Sequence, residues 1–514
     1  VISARRQIVF LLIGLVLYLG VGVHFLNHAP DDVYITLRYA KNIAEGHGPV
    51  YNVGERVEGF SNPLWLALTA LLHPLLQAPR AMTLAVKLMG FVAGLLALLL
   101  IAALARRDTE ASELWGLPPL LVGLSGYLAY WAVSGMETGL HLLLVVLAVG
   151  GYIRALESGR KSWRLLCGLL FALLALSRPE GPVFFVAALV ARGLLLWRDG
   201  KRPDWADAGF FATAIMPVMI YFFWRHSYYG AWWPNTFYAK AGGGLSTWAD
   251  GVRYLLRALG PAFWSNALLM PLIFIGLLPW KKATPRTVVL LTAIAAQAGF
   301  IVLGGGDWMP GWRFVLPAVP LLALLAPSIA TRLFAAMHKN RLDAWLGGWR
   351  KTAALLLLLA PLVAHLYGVK QLSHQPSGWT GYHDEHFFVP HHKAVADWLA
   401  DHAEPGEWLA TGEAGLIPYL TGLPAIDCFG LTDAHLARVP GKRHEKVDPD
   451  YILDRRPQFL VIGGITSGNQ GVSSDFAYGR SLLEHPRMKA EYTPSLRYGS
   501  FLVLERAPNP VSSE

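Results

Sequence analysis

Charge is scarce in this 514-residue chain: Asp, Glu, Lys and Arg make up 15% of it, against about 25% in ordinary globular domains. Hydrophobic residues fill 54% and the mean hydropathy is +0.39. A conventional soluble domain is therefore excluded. Cysteine is scarcer still. Cys167 lies in an apolar run and Cys428 near the C-terminus, settings too different to suggest a disulfide, so the pair says little about compartment. A cleavable leader is not expected either: the run Val9–Phe25 is long and no small-residue cleavage site follows it. Internal repeats and low-complexity segments are missing, and only the tail "APNPVSSE" reads as loose.

What is abundant is apolar sequence in runs near the roughly 20 residues that cross a bilayer core of about 30 Å. The net charge of +9 could suggest nucleic acid, but its distribution argues against it. Arg106–Arg107, Arg160–Lys161, Lys201–Arg202, Lys281–Lys282 and Arg350–Lys351 all fall between apolar runs, as expected of cytoplasmic loops. Arg5 and Arg6 precede the first span, about Ile8–Phe25, which puts the N-terminus in the cytoplasm and the following segment outside. Within that first external loop, 28–81, the run Leu64–Leu76 is too short to cross. It reads as a juxtamembrane helix capped by Ser61 or Asn62, with Pro63 in its first turn.

Further spans are expected at 82–105, 115–133, 138–153, 163–177, 181–197, 207–225, 262–280, 286–303, 313–331 and 352–371. Were Leu64–Leu76 to span, every later basic loop would flip outside; charge bias decides against it. About eleven transmembrane helices result, forming one domain over 1–371. Beyond it, 372–514 carries charges throughout and alternates β-like runs ("EWLATGEAG", "PQFLVIGG", "SFLVLER") with helical ones ("HHKAVADWLADHA", "DPDYILDRR"). That alternation predicts an extracytoplasmic α/β domain.

With this topology the polar motifs at membrane boundaries sort to the outer side: Asp31, Asp32, Arg38, Asn52, Glu58 and Asn62; Glu137 in "SGMETG"; Arg178 and Glu180 in "SRPEGP"; Asn235 and Lys240 in "PNTFYAK"; Asp307 and Arg313 in "GGGDWMPGWR". The inner loops are basic and otherwise bland. Asp31 or Asp32 can cap a helix running to about Glu45 and stopped by Gly46. One cap needs one Asp, and a second carboxylate near apolar surroundings suits a proton acceptor. Glu137 and Glu180 read equally as helix-start carboxylates. Arg178 reads either as the ion-pair partner of neighbouring Glu180 or, like other external cations, as a phosphate ligand.

Other motifs are less specific. "GGGDWMPGWR" lacks the Gly-Lys-Ser/Thr ending of a nucleotide loop. The aromatic set Tyr228, Tyr229, Trp232, Trp233, Phe237 and Tyr238 reads as an interfacial belt, with sugar stacking or lipid gripping the sharper alternative. "HDEHFFVPHH" (His383, His386, His391, His392) has no strong ligand spacing, and His391 and His392 read as flanking the start of a surface helix. Glu413, Asp427 and Asp433 fall at expected strand ends, as turn residues or as part of a site.

The stretches "DDVYITLRYAKNIAEGHGPVYNVGERVEGFSNPLW", "SGMETGL", "SRPEG", "PNTFYAK", "GGDWMPGWRFVLPAVPLL" and "GEAGLIPYLTGLPAIDCFGLTD" together resemble the GT-C superfamily. These are membrane glycosyltransferases that use polyprenyl-phosphate sugars. The nearer resemblance is to the arabinofuranosyltransferases that add terminal residues to mycobacterial arabinan, and to pilin arabinosyltransferases. It implies a GT-C fold in the bacterial inner (plasma) membrane, with Asp31 the first choice as catalytic base and Asp32 the next. Arg38, Asn52, Glu58, Asn62, Glu137, Arg178, Glu180, Asn235, Lys240, Asp307 and Arg313 are the expected substrate-binding set. The implied partners are a polyprenyl-phosphate sugar, decaprenyl-phospho-arabinofuranose first among them, a glycan or protein acceptor and membrane lipid, with no nucleic acid. No cofactor motif is fixed, and a divalent metal stays open. A transporter or flippase of a lipid-linked sugar, and a non-catalytic scaffold, are the readings from other functional classes.

Overall fold

The computed structural model describes residues 3–108, 112–240, 244–259, 283–339, 365–373, 390–442, 445–468 and 471–507. The expected span 262–280, most of 352–371, and His383 and His386 lie outside them. The chain divides into two compact units. One comprises Val1–His28, Ala85–Tyr221 and Leu245–Gln375; the other comprises Ala29–Leu84, Phe222–Gly244 and Pro376–Glu514.

In the first unit and its bordering segments, long Leu-, Ala- and Val-rich runs form helices, which pair every backbone group within the segment, as a bilayer requires. Among the described residues six are long and apolar enough to cross a membrane: α1 (Ala4–His24), α4 (Pro79–Arg106), α7 (Thr138–Ser158), α9 (Gly181–Arg198), α10 (Trp205–Tyr229) and α13 (Pro285–Gly304). The 17-residue α8 (Lys161–Ser177) packs on α7. α14 (Ala318–Lys339) packs on α13. Start signals are local: Pro285 opens α13 behind Thr284, whose hydroxyl accepts from the Thr287 N–H.

Residues 115–133, expected as one span, form two short helices, α5 (Leu117–Gly123) and α6 (Gly126–Ala132), broken at Leu124–Ser125. Close packing accompanies the break. A Cβ on Gly123 would lie 2.2 Å from the Gly14 carbonyl oxygen, and one on Gly14 would lie 2.5 Å from that of Pro119. Small residues thus bring the α1 and α5 backbones together, as in membrane helix pairs generally. Burial of apolar surface alone, which is what hydropathy reports, does not reveal such a break.

Charges in this unit separate by helix end. At the ends near Ser158, Lys161, Arg198 and Trp205, Arg164 bridges Asp204 and Asp207, and Arg192 joins Asp207. Asp108 pairs with Arg286 at the start of α13. The opposite ends carry Glu137, Arg178, Glu180 and the 305–313 turn.

The second unit is built on a five-stranded sheet ordered β2-β1-β3-β7-β6. β1 (Leu409–Thr411) lies parallel to β2 (Ala425–Asp427) and to β3 (Phe459–Ile462); β7 (Phe501–Arg506) and β6 (Tyr492–Tyr498) complete it antiparallel. All residues of β1, β2 and β3 are buried, the continuous apolar pattern of strands covered on both faces. One cover comes from the first loop: Ile35, Tyr39, Phe60 and Leu66 share a core with Leu409, Ile417, Val461 and Val503. The loop itself holds α2 (Asp32–Ala44) and α3 (Pro63–Leu72). Gly46 follows α2 with φ +83°, the left-handed stop expected of it. Asn62 sits at the N-cap position of α3 with Pro63 in the first turn, but its side chain makes no capping bond.

Candidate active site

Asp31 is not the cap of α2. Its backbone is already helical, at φ −55° and ψ −37°, and its side chain makes no capping bond there. The carboxylate turns to a different segment: Oδ2 accepts from the Gly415 N–H and Oδ1 from the Leu416 N–H, each at 2.8 Å. The approach is so close that a Cβ on Gly415 would fall 2.1 Å from the Asp31 carbonyl oxygen. Asp31 is 5% exposed. Burial pushes its carboxyl up to about 6, against the lowering by the Leu416 and Gly415 N–H bonds. Asp32, one residue on, is only partly buried.

Gly415 belongs to the turn after β1, and this is where the sheet gathers acidic groups. Glu413 follows β1 and Asp427 ends β2, both at the carboxyl ends of parallel strands, where open α/β sheets place their ligands. Asp427 accepts from the Phe429 N–H (2.9 Å), the Thr432 N–H (2.8 Å) and the Thr432 hydroxyl (3.2 Å). Burial nevertheless raises it to about 7. Glu413 is raised far above the usual carboxylate range by burial, then by the charges of Asp31, Asp32 and Asp427. His392 enters the same cluster, its Nδ1 3.7 Å from Asp31 and its Nε2 3.4 Å from Glu413. Burial, then the neighbouring His391, lowers it to about 3. The expectation that His392 flanks a surface helix is therefore overturned. It begins the helix Pro390–His402 but is 1% exposed, because that helix packs on β6, β7 and Leu416–Thr421.

Other expected site residues in this unit meet protein partners. Arg38 donates to the carbonyls of Tyr51, Pro418 and Leu423 and to the Asn52 side chain. Asn52 in turn brackets Ala425, donating to its carbonyl and accepting from its N–H. Glu58 forms a buried bidentate pair with Arg225. Asn235 donates to the carbonyls of Gly430, Leu431 and Asp433. Asn62 is buried, whereas Lys240, ending the short helix Asn235–Lys240, is exposed.

The remaining expected residues lie in the first unit, as a separate group. Arg178 joins Glu137 (2.7 Å) and Glu180, and Arg313 joins Asp307 (2.8 Å). The two guanidiniums flank Phe314, at 5.7 and 5.5 Å from its ring centre. The glycines of "GGGDWMPGWR" serve close approach: Gly306 has φ +77°, and a Cβ there would meet Tyr254 at 2.6 Å. Beside this turn lies a cavity of about 520 Å³ whose lining includes Tyr127, Arg253, Tyr254, Arg257, Asp307 and Trp312. Arg253, Tyr254 and Arg257 of this lining were not singled out in the sequence.

Three comparisons bear on these units. Residues 372–503 match a family described as a domain of unknown function (DUF8728). Two relatives bear the name terminal β-(1→2)-arabinofuranosyltransferase. The one from Corynebacterium glutamicum is 28% identical over 371 residues, 65% of this chain and 51% of that protein. The one from Mycobacterium tuberculosis is 28% identical over 353 residues, 58% of this chain and 51% of that protein. The chain thus spans about half the length of the curated relatives it matches. Among solved structures, ArnT from Cupriavidus metallidurans bound to undecaprenyl phosphate superposes with a TM-score of 0.56 at 14% identity, covering 99% of each chain. The archaeal oligosaccharyltransferase AglB from Archaeoglobus fulgidus, in complex with an inhibitory peptide and a dolichol-phosphate, gives 0.53 at 12% identity, covering 94% of this chain and 75% of that one. The chain is a polytopic helical membrane protein of GT-C fold with a small C-terminal sheet domain.

Proposed function

We propose that this protein is a membrane glycosyltransferase that moves a sugar, arabinofuranose, from a polyprenyl-phosphate donor to a hydroxyl of an extracytoplasmic glycan or protein. Decaprenyl-phospho-arabinofuranose is the proposed donor and the bacterial inner membrane the proposed location, with the N-terminus cytoplasmic and the sheet domain outside. The observation that carries the reading is the Asp31–Asp32 pair opening α2: one carboxylate is buried under two backbone donors and the next is partly exposed. Support comes from the relatives' names and from the two structural neighbours, each solved with a polyprenyl-type lipid phosphate.

The chemistry assigns the two aspartates different work. An acceptor hydroxyl needs a base that it can reach, and Asp32 is the more accessible of the pair. Asp31, with both oxygens engaged by Gly415 and Leu416, holds the start of α2 against the sheet; the order of preference between the two reverses. In the transfer step Asp32 takes the hydroxyl proton as the acceptor oxygen bonds to the anomeric carbon. The bond from that carbon to the phosphate oxygen breaks, and its electron pair leaves with the polyprenyl phosphate. Charge developing on that phosphate calls for a cation. Exposed Lys240 is the candidate in the unit that holds the aspartates. Arg38, Asn52, Glu58 and Asn235 shape the unit through the protein contacts already described.

The test is sugar transfer by the full chain in lipid nanodiscs from a synthetic polyprenyl-phospho-arabinofuranose. Asp32→Asn is expected to slow transfer by about 10²–10⁴-fold, the usual contribution of a positioned base, with donor binding kept. Near-normal rates in Asp32→Asn and in Asp31→Asn would remove the proposal of a first-loop base.

A further inference from the structure

Asp31, His392 and Glu413 come from three separate segments, yet one ligand-type atom from each lies within 4.8 Å of the other two, and all three residues are buried. Two buried polar atoms of these side chains, His392 Nδ1, which faces Asp31, and Glu413 Oε2, which faces His392 Nε2, have no hydrogen-bond partner, although His392 and Glu413 are each only 1% exposed. A buried polar atom left without a partner is costly and asks for an explanation. Among the described residues neither Asp31 nor Glu413 is ion-paired to a lysine or arginine; His392 is the one basic group that either faces. Taking two ionised carboxylates out of water without a compensating cation is strongly unfavourable.

We propose that these three side chains hold a divalent metal ion that clasps the start of α2 to the C-terminal sheet. The donor set is one imidazole nitrogen and two carboxylate oxygens, which suits a first-row divalent ion such as Zn²⁺ or Mn²⁺. An ion 2.0–2.2 Å from each donor sets tetrahedral neighbours about 3.4 Å apart, and His392 Nε2 lies 3.4 Å from Glu413 Oε2. Asp31 completes the set through lone pairs that its two backbone donors leave free. Those backbone bonds then act as outer-shell contacts that fix the carboxylate's orientation. The positive ion balances the two buried negative charges. The occupant without an ion is a proton shared between Glu413 and His392, which leaves Asp31 out of the balance.

Inductively coupled plasma mass spectrometry on the full chain, purified free of any histidine tag and of chelators, tests this. About one Zn²⁺ or Mn²⁺ per chain is expected. Chelation should lower the melting temperature, and adding back the ion should restore it. His392→Ala and Glu413→Gln should each cut bound metal at least about tenfold, while His391→Ala retains it. If the variants fail to fold, chelation and re-addition on the unaltered chain still decide. A chain free of metal, with a melting temperature indifferent to chelator and added ion, overturns the proposal. So does metal retained in both folded variants, which marks an adventitious ion only.

Discussion

The carboxylates at the ends of β1 and β2 behave unlike the surface acids of the same domain. Asp427 accepts three hydrogen bonds, yet burial raises its carboxyl to about 7. A group raised in the folded state adds stability that is fully present below its unfolded value of about 3.8 and is lost as pH climbs through the folded value. The wild type should therefore lose stability relative to Asp427→Asn between about pH 4 and pH 7, by up to about 1.4 kcal/mol per pH unit. Melting temperatures of both proteins across that range check it; parallel curves would place the titration elsewhere. At this same scale the sequence was least legible. His392 looked like a surface residue because its neighbours in "VPHHKAVADW" are mixed in polarity. Only the packing of its helix on the sheet buries it. Asp31 read as the first choice of base, with a local cap as the alternative, and neither reading pointed to its partners, which lie 384 and 385 residues away.

Elements were easier to read where a local signal fixes them. Gly46 stops α2, Pro63 opens α3, and strands β1, β3 and β7 lie within the runs expected of them. The single span expected at 115–133 failed because hydropathy registers apolar length and not the close glycine contact with α1. What the sequence hid is how the first loop is fastened. Arg225 in α10 and Glu58 form a buried pair, and the Glu58 carbonyl accepts from the Asn235 N–H. Removing one partner leaves an uncompensated buried charge, so Arg225→Met or Glu58→Gln alone should destabilise the unit by about 3–5 kcal/mol. The double change should recover much of that loss. Denaturation of the single and double variants measures the coupling; additive losses would mean that the pair contributes nothing beyond its two ends.

For the whole molecule, the scarcity of charge announced a membrane protein, and the placement of the basic pairs proposes which side is which. The two cysteines are buried and unpaired, so an impermeant maleimide should find little background on the intact chain. Cysteine placed at exposed Lys201 should react only after permeabilisation of the inner membrane. Cysteine at exposed Glu404 should react without it. Reaction of both from one side would reject the orientation. The central claim is sugar transfer, and it is tested most directly with purified chain in sealed vesicles containing a labelled polyprenyl-phospho-arabinofuranose and an oligo-arabinan acceptor. The account predicts label on the acceptor with release of polyprenyl phosphate. Label that stays on the lipid while the lipid moves between leaflets would contradict it and identify a transporter.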